Sequence, residues 1–254
     1  MPPNTLLCGR WKGSSTPTYT ALENVMTANK FDRQSIANAY LCGDGIEVGA
    51  LHNPLKVPDA ARVRYVDRMP VAQLKEHYPE LAPFTLVEPD IIDNAEVLSS
   101  LEDASEDFII ANHFLEHCQD FIGTLRNFVR VLKPGGTIFA ALPDMRNTFD
   151  KNRPATLLDH ILRDHLEGPA WSKRGHFREW ATLVEPHFGR YYVTFEEIEA
   201  RTTKLVEQDY SIHFHAWEPK DVMALMAVCC GILPLQLDVF LTLGEEMVMI
   251  LTRK

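Results

Sequence analysis

An apolar stretch ends on glycine at Gly45-Ile46-Glu47-Val48-Gly49, and the chain runs on through Ala50, Leu51, His52, Asn53 and Pro54. Ile46 and Val48 read as the end of a buried strand, and Gly49 marks where that strand turns into a loop. Such a loop offers backbone N–H groups to a ligand. Glycine suits the position because, without Cβ, the backbone can approach a ligand closely and take positive φ without strain. Arg64-Tyr65-Val66-Asp67 is a second β-type run, ending in a carboxylate about 20 residues after Glu47. A carboxylate at the end of the second strand, at about that distance, is how doubly wound folds hold a ribose diol.

Two further segments follow in order: Asp107-Phe108-Ile109-Ile110-Ala111-Asn112-His113-Phe114-Leu115-Glu116-His117, and Val131-Leu132-Lys133-Pro134-Gly135-Gly136. Together with Glu47-x-Gly49 and Asp67, this set resembles class I S-adenosylmethionine-dependent methyltransferases. Within them it is similar to the bacterial methyltransferase type 11 group, whose members often sit among sugar- and glycan-modifying enzymes. The resemblance covers residues 40–145. It implies an α/β, Rossmann-like doubly wound and mostly parallel seven-stranded sheet with an antiparallel C-terminal hairpin. It also implies S-adenosylmethionine as cofactor, with S-adenosylhomocysteine as product. The cofactor contacts it points to are Glu47, Gly49, Ala50, Asp67, Arg68, Asp90, Ile91, Asn112, His113 and His117. Asp90 with Ile91 is expected at the adenine, with Asp93 as rival, and Asn112 and His113 at the methionine part. The family's loop usually carries two more glycines, where this sequence has Leu51 and Asn53.

A chain of 254 residues fits one such domain with an insertion. Net charge of −10 argues against tracking a nucleic-acid backbone, which needs clustered Lys and Arg. Met1 to Arg10 lacks the pattern of a signal peptide, and no run approaches 18 apolar residues, so a cytoplasmic protein without a membrane span is expected. Cysteines 8, 42, 118, 229 and 230 show no metal-like spacing and read as reduced core thiols.

Residues 1–41 read as an arm followed by cover helices over 18–29 and 32–41, with Tyr40 either packed in the core or touching a ligand. Residues 42–144 and 218–254 are assigned to the core, and 145–217 to a mainly helical inserted lid. Strand three is expected at Thr85 to Val87. Phe121, Ile122, Leu125, Phe128, Val129 and Leu132 repeat at helical spacing, which predicts a helix stopped by Pro134-Gly135-Gly136. Leu235 to Leu241 and Glu246 to Leu251 predict the closing hairpin.

The insert holds six of the ten histidines. A helical wheel over 154–166 puts His165 among Leu158, Ile161, Leu162 and Leu166, as a core histidine or a lid residue, and leaves His160 with Asp164 as a solvated pair. In extended chain, His213 and His215 would share one face. His113 and His117 are four apart, but two histidines without further ligands predict no metal site.

Methyl transfer to a hydroxyl needs a base, and imidazole titrates near neutral pH. His213 or His215 is the first expectation, with His176 and His165 behind. The expected function is O-methylation of a sugar, a glycan precursor or another small polar hydroxylated molecule. Two alternatives stay open: a small-molecule N- or carboxyl-methyltransferase, and a non-catalytic partner of a glycan-assembly enzyme. The oligomeric state is not legible.

Overall fold

The computed structural model describes residues 31–254. The expected arm, the helix over 18–29 and Cys8 lie outside the described residues. Seven strands form one sheet: β1 (Gly43–Val48), β2 (Ala61–Asp67), β3 (Ile91–Ile92), β4 (Glu106–Asn112), β5 (Leu132–Pro143), β6 (Leu235–Leu243) and β7 (Glu246–Arg253), in the order β3-β2-β1-β4-β5-β7-β6. β1 to β5 run parallel, and β7 lies antiparallel to both β5 and β6. The expected Rossmann-like sheet with an antiparallel C-terminal hairpin is present.

Side-chain alternation divides the core between two faces. On β4, Ile109 and Ala111 face one side with Ile46, Val48 and Ile138, and the apolar stripe of α3 (Phe121–Val131) packs on them. Phe108 and Ile110 face the other side with Phe139, Val248 and Ile250, covered by Ile36 and Ala37 of α1 (Arg33–Tyr40). Asp120 caps α3 by accepting the Gly123 N–H at 2.8 Å, which supplies an acceptor to an otherwise unpaired first-turn donor. Glycine is required at position 45, because a Cβ there would stand 2.4 Å from the Phe108 carbonyl of the neighbouring strand.

Several expectations are corrected. Thr85 to Val87 forms no strand: Val87 donates its N–H to the Leu51 carbonyl at 2.7 Å, and β3 is only Ile91–Ile92, after Asp90. α2 (Val71–His77) follows β2, packing through Leu74. Cys118 and Cys229 are buried, whereas Cys42 is exposed at the start of β1.

Asp144 and Trp217 pair in an isolated parallel bridge, so the chain leaves and rejoins the sheet at one place. Between them come α4 (Leu158–Glu167), α5 (Ala170–Glu179), a π-helical turn over Trp180–Val184 and α6 (Phe195–Glu207). Phe177, Trp180, Val184, Leu205 and Ile212 give this segment its own apolar cluster. α7 (Pro219–Ile232) follows, with Val222, Leu225, Met226 and Cys229 buried. On α4, Ile161 is buried, but Leu166 is 80% exposed, because the helix ends at Glu167 and the chain turns away at Gly168. Among the described residues no helix is long and apolar enough to cross a membrane.

Candidate active site

A cavity of about 480 Å³ opens at the carboxyl ends of β1, β2 and β4, where ligands bind in sheets of this kind. Gly49, Asp67 and His113 mark those three strand ends in its wall. Leu51, Arg68 and Tyr78 extend the wall, Asn94, Ala95 and Glu96 line the side after β3, and the insert supplies Asp209, Tyr210, Ser211 and Phe214. Polar contacts join the insert to the core across the rim: Arg68 donates to the Tyr78 hydroxyl and, at 3.3 Å, to the Asp209 carbonyl, and the Tyr210 hydroxyl donates to Glu80 at 2.6 Å.

The glycine loop carries Leu51 and Asn53 where the second and third glycines would stand. Both oxygens of buried Glu47 accept the Leu55 N–H, at 3.0 and 3.1 Å, and so tie the far end of the loop to β1. Burial raises Glu47 to about 7, the Leu55 amide and Arg33 opposing it only in part. Gly49 has φ +64°, and Leu51 takes φ +50°, a left-handed conformation that glycine would adopt without strain. Leu51 holds it while packing against Leu74, Leu81 and Leu86.

Of the residues expected at the cofactor, Gly49, Asp67, Arg68, His113 and His117 line the cavity. Glu47, Ala50, Asn112, Asp90 and Ile91 do not. Asp90 turns instead to the Tyr65 N–H, accepting it at 2.8 Å, and its rival Asp93 is taken up by Ser99 and Ser100. The wall after β3 is reached by Asn94 to Glu96, which the sequence reading missed because it put that strand too early. Tyr40, 37% exposed, stands outside the lining as well.

The side chains fit S-adenosylmethionine. The volume lies within the range of roughly 300–1,000 Å³ for small-molecule sites. Asp67 brings a carboxylate that burial pushes up, against the Arg68 and Met69 amides. Beside Gly49 only Phe114 comes within 4 Å of where a Cβ would stand, at 3.8 Å, so the glycine leaves room for a ligand.

A charged cluster adjoins His113 and His117. The Glu116 carboxylate is buried with neither oxygen hydrogen-bonded, and its Oε1 lies 3.6 Å from His113 Nδ1 and 3.9 Å from His213 Nε2. Burial pushes Glu116 up, but His113, His117 and His213 outweigh it and hold the group below its usual range. Burial works against protonating His113, yet Glu116 and Glu246 raise it to about 9; burial and His213 push His117 down to about 4. His213 Nδ1 is 2.7 Å from Asp150 Oδ2, and Arg153 donates to Asp150 Oδ1 at 2.8 Å. The other His117 contact is Ser211 Oγ, 2.9 Å from Nδ1. Glu116, His117 and His213 are also of the right type and spacing to hold a cation. Glu116 was legible as the acid between two named histidines; Asp150, in an irregular turn, carried no signal.

None of the expected bases lines the cavity: His213 stands behind His117, and the others lie elsewhere. A bend at Phe214 separates His213 from His215, so the two do not share a face as extended chain would have them. His215 and His176 meet His160 and Asp164, whose carboxylate is 1% exposed rather than solvated. His165 is 13% exposed, with Nδ1 3.0 Å from Asp120 and Nε2 2.7 Å from Arg126, at the start of α3 rather than at the cavity.

Residues 41–140 match the family model of the methyltransferase domain. The match spans about two fifths of the chain and is a likeness to that domain. Its matched span holds the glycine loop, Asp67 and the β4 end, and it supports S-adenosylmethionine-dependent methyl transfer with S-adenosylmethionine as cofactor. Similar solved structures include a SAM-dependent methyltransferase from Methanosarcina mazei, 17% identical, covering 88% of this chain and 99% of that one with a TM-score of 0.45. Another, from Thermotoga maritima, is described as a possible histamine N-methyltransferase; it is 16% identical and covers 92% of this chain and 87% of that one, at a TM-score of 0.42. No match is found among the curated proteins.

Proposed function

We propose that this methyltransferase transfers a methyl group to a hydroxyl of a small polar acceptor, with sugars and glycan precursors as the first class to test. The observation that carries this reading is the Asp150–His213 pair, at 2.7 Å, behind the Glu116–His117 end of the cavity wall. A carboxylate on Nδ1 fixes the tautomer whose Nε2 is free to accept a proton, the arrangement by which an imidazole serves as general base toward an alcohol. An amine acceptor needs no such base.

When bound, S-adenosylmethionine supplies an electrophilic methyl on a sulfonium. Asp67 is suited to accept the hydroxyls of its ribose, and Asn94 to Glu96 would hold the adenine. His113, protonated at neutral pH, stands beside Glu116 at the β4 end, so the acceptor meets an ion pair rather than a free charge. Tyr210 and Phe214 from the insert line the cavity, which supports a lid role for residues 145–217. Holding acceptor and donor in line is worth roughly 7–11 kcal/mol, and a positioned base about 10²- to 10⁴-fold.

The test is calorimetric titration of S-adenosylmethionine and S-adenosylhomocysteine, followed by product analysis with a panel of sugars, phenols, amines and carboxylic acids, with and without chelator. O-methyl products that persist with chelator and fall in His213→Ala support the reading. Products methylated only on nitrogen or carboxylate sink it, as does full activity in His213→Ala. Activity lost to chelator and restored by metal would assign Glu116, His117 and His213 to a cation in place of the base.

A further inference from the structure

We propose that His160, Asp164, His176 and His215 form a binding site for one divalent transition-metal ion, zinc foremost, that fastens the insert together. The four side chains come from α4, α5 and the segment after α6, and each offers one ligand atom, all within 4.8 Å of one another. His160 Nε2 lies 3.0 Å from His176 Nε2 and 3.1 Å from Asp164 Oδ2, and His215 Nε2 lies 3.8 Å from that same oxygen. Tetrahedral ligands at zinc distances of 2.0–2.1 Å stand roughly 3.3 Å apart, inside this spread. Three imidazoles and one carboxylate make a closed four-ligand set of the structural kind, and imidazole selects the later transition metals over magnesium or calcium.

Unmet valences point the same way. Asp164 Oδ2 and both ring nitrogens of His215 are buried without hydrogen-bond partners. The His215 side chain is fully buried and Asp164 1% exposed. Leaving such atoms unpaired is costly, and one ion would satisfy the oxygen and one nitrogen together. The remaining Asp164 oxygen accepts the Ser172 hydroxyl at 2.8 Å, an outer contact of the sort that aims a ligating carboxylate. A second cavity of about 380 Å³ reaches His160 and His176 and gives an ion a way in. Without metal, His160 and His176 could share only one proton across their contact.

The site is separate from the cofactor cavity, whose lining contains none of the four. The test uses the full chain, stripped with chelator and titrated with Zn²⁺ or Co²⁺ alone. One equivalent per chain, with the visible absorption of tetrahedral Co²⁺ and a thermal midpoint raised by roughly 5 °C or more, is expected. Asp164→Asn and His176→Gln should each weaken binding at least tenfold, with far-UV circular dichroism unchanged. His117→Ala, which alters the Glu116 cluster instead, should keep the equivalent. Failure of the wild-type chain to bind either ion at micromolar concentration would overturn the proposal and leave a hydrogen-bonded histidine cluster. Binding lost in His117→Ala but kept in Asp164→Asn would overturn it by moving the ion to the other cluster.

Discussion

Asp150 Oδ2 stands 2.7 Å from His213 Nδ1, while Arg153 holds the other oxygen of the same carboxylate at 2.8 Å. Arg153 is itself fixed by Glu179 at 2.6 Å and by the Phe214 carbonyl at 3.0 Å. If this chain orients a base, Asp150→Asn should lower kcat about 10²- to 10⁴-fold with KM little changed, as His213→Ala should. Asn keeps the shape but removes one of the two carboxylates on buried Arg153, leaving Glu179, so thermal unfolding must be read beside the kinetics; breaking a buried pair costs up to about 3–5 kcal/mol. Full kcat in both variants would exclude the pair from the chemistry.

Asp67 is the one carboxylate at the end of β2 in the cavity wall. Losing its charged hydrogen bonds, worth about 1.5–3 kcal/mol each, should weaken S-adenosylhomocysteine binding roughly 10- to 100-fold in Asp67→Ala. Unchanged affinity by calorimetry would mean that the ribose is held elsewhere.

Glu47 sets a pH dependence whose sign is the reverse of the usual carboxylate. Its folded value is about 7 against an ordinary 4.5, so the folded state binds the proton that the unfolded chain has released. Stability from this group is complete below pH 4.5 and is lost as pH rises to 7, by on the order of 3 kcal/mol. Glu47→Gln should lack that loss, and its stability relative to the native chain should climb across the same window in urea titrations. Parallel profiles would place the Glu47 value near the ordinary one.

Leu51 combines a left-handed backbone with apolar packing. Leu51→Ala keeps the strain and loses the packing, whereas Leu51→Gly loses slightly more contact but relieves roughly 1 kcal/mol of backbone strain. The glycine variant should therefore melt above the alanine variant. The reverse order would show that packing, and not φ, governs this position.

The strands and α3 were legible because their signals are local: Ile109 and Ala111 alternate with Phe108 and Ile110, and Phe121, Leu125 and Phe128 repeat at one helical turn. Strand three was misplaced because its two residues pair only at one edge, and Val87 found a partner in the Leu51 carbonyl instead. Gly49 and Asp67 were found from spacing. Asp164 was misread because the wheel over α4 knows its own faces but not that Ser172 and His176 of α5 lie against the side called solvent.

The sequence by itself determined the sheet, the glycine turn and the acid that ends β2, since each depends on neighbours a few residues away. Tertiary structure decided the company of the histidines. Glu116, Asp150 and His213 are distant in the chain, as are His160, His176 and His215, and each group meets only when the insert folds back to the Asp144–Trp217 bridge. The bend at Phe214 then sends His213 and His215, two residues apart, into different clusters. Burial there pushes His117 down, while the neighbouring imidazoles hold Glu116 below its usual range against burial, and neither desolvation nor such company has a local signature in a string of residues.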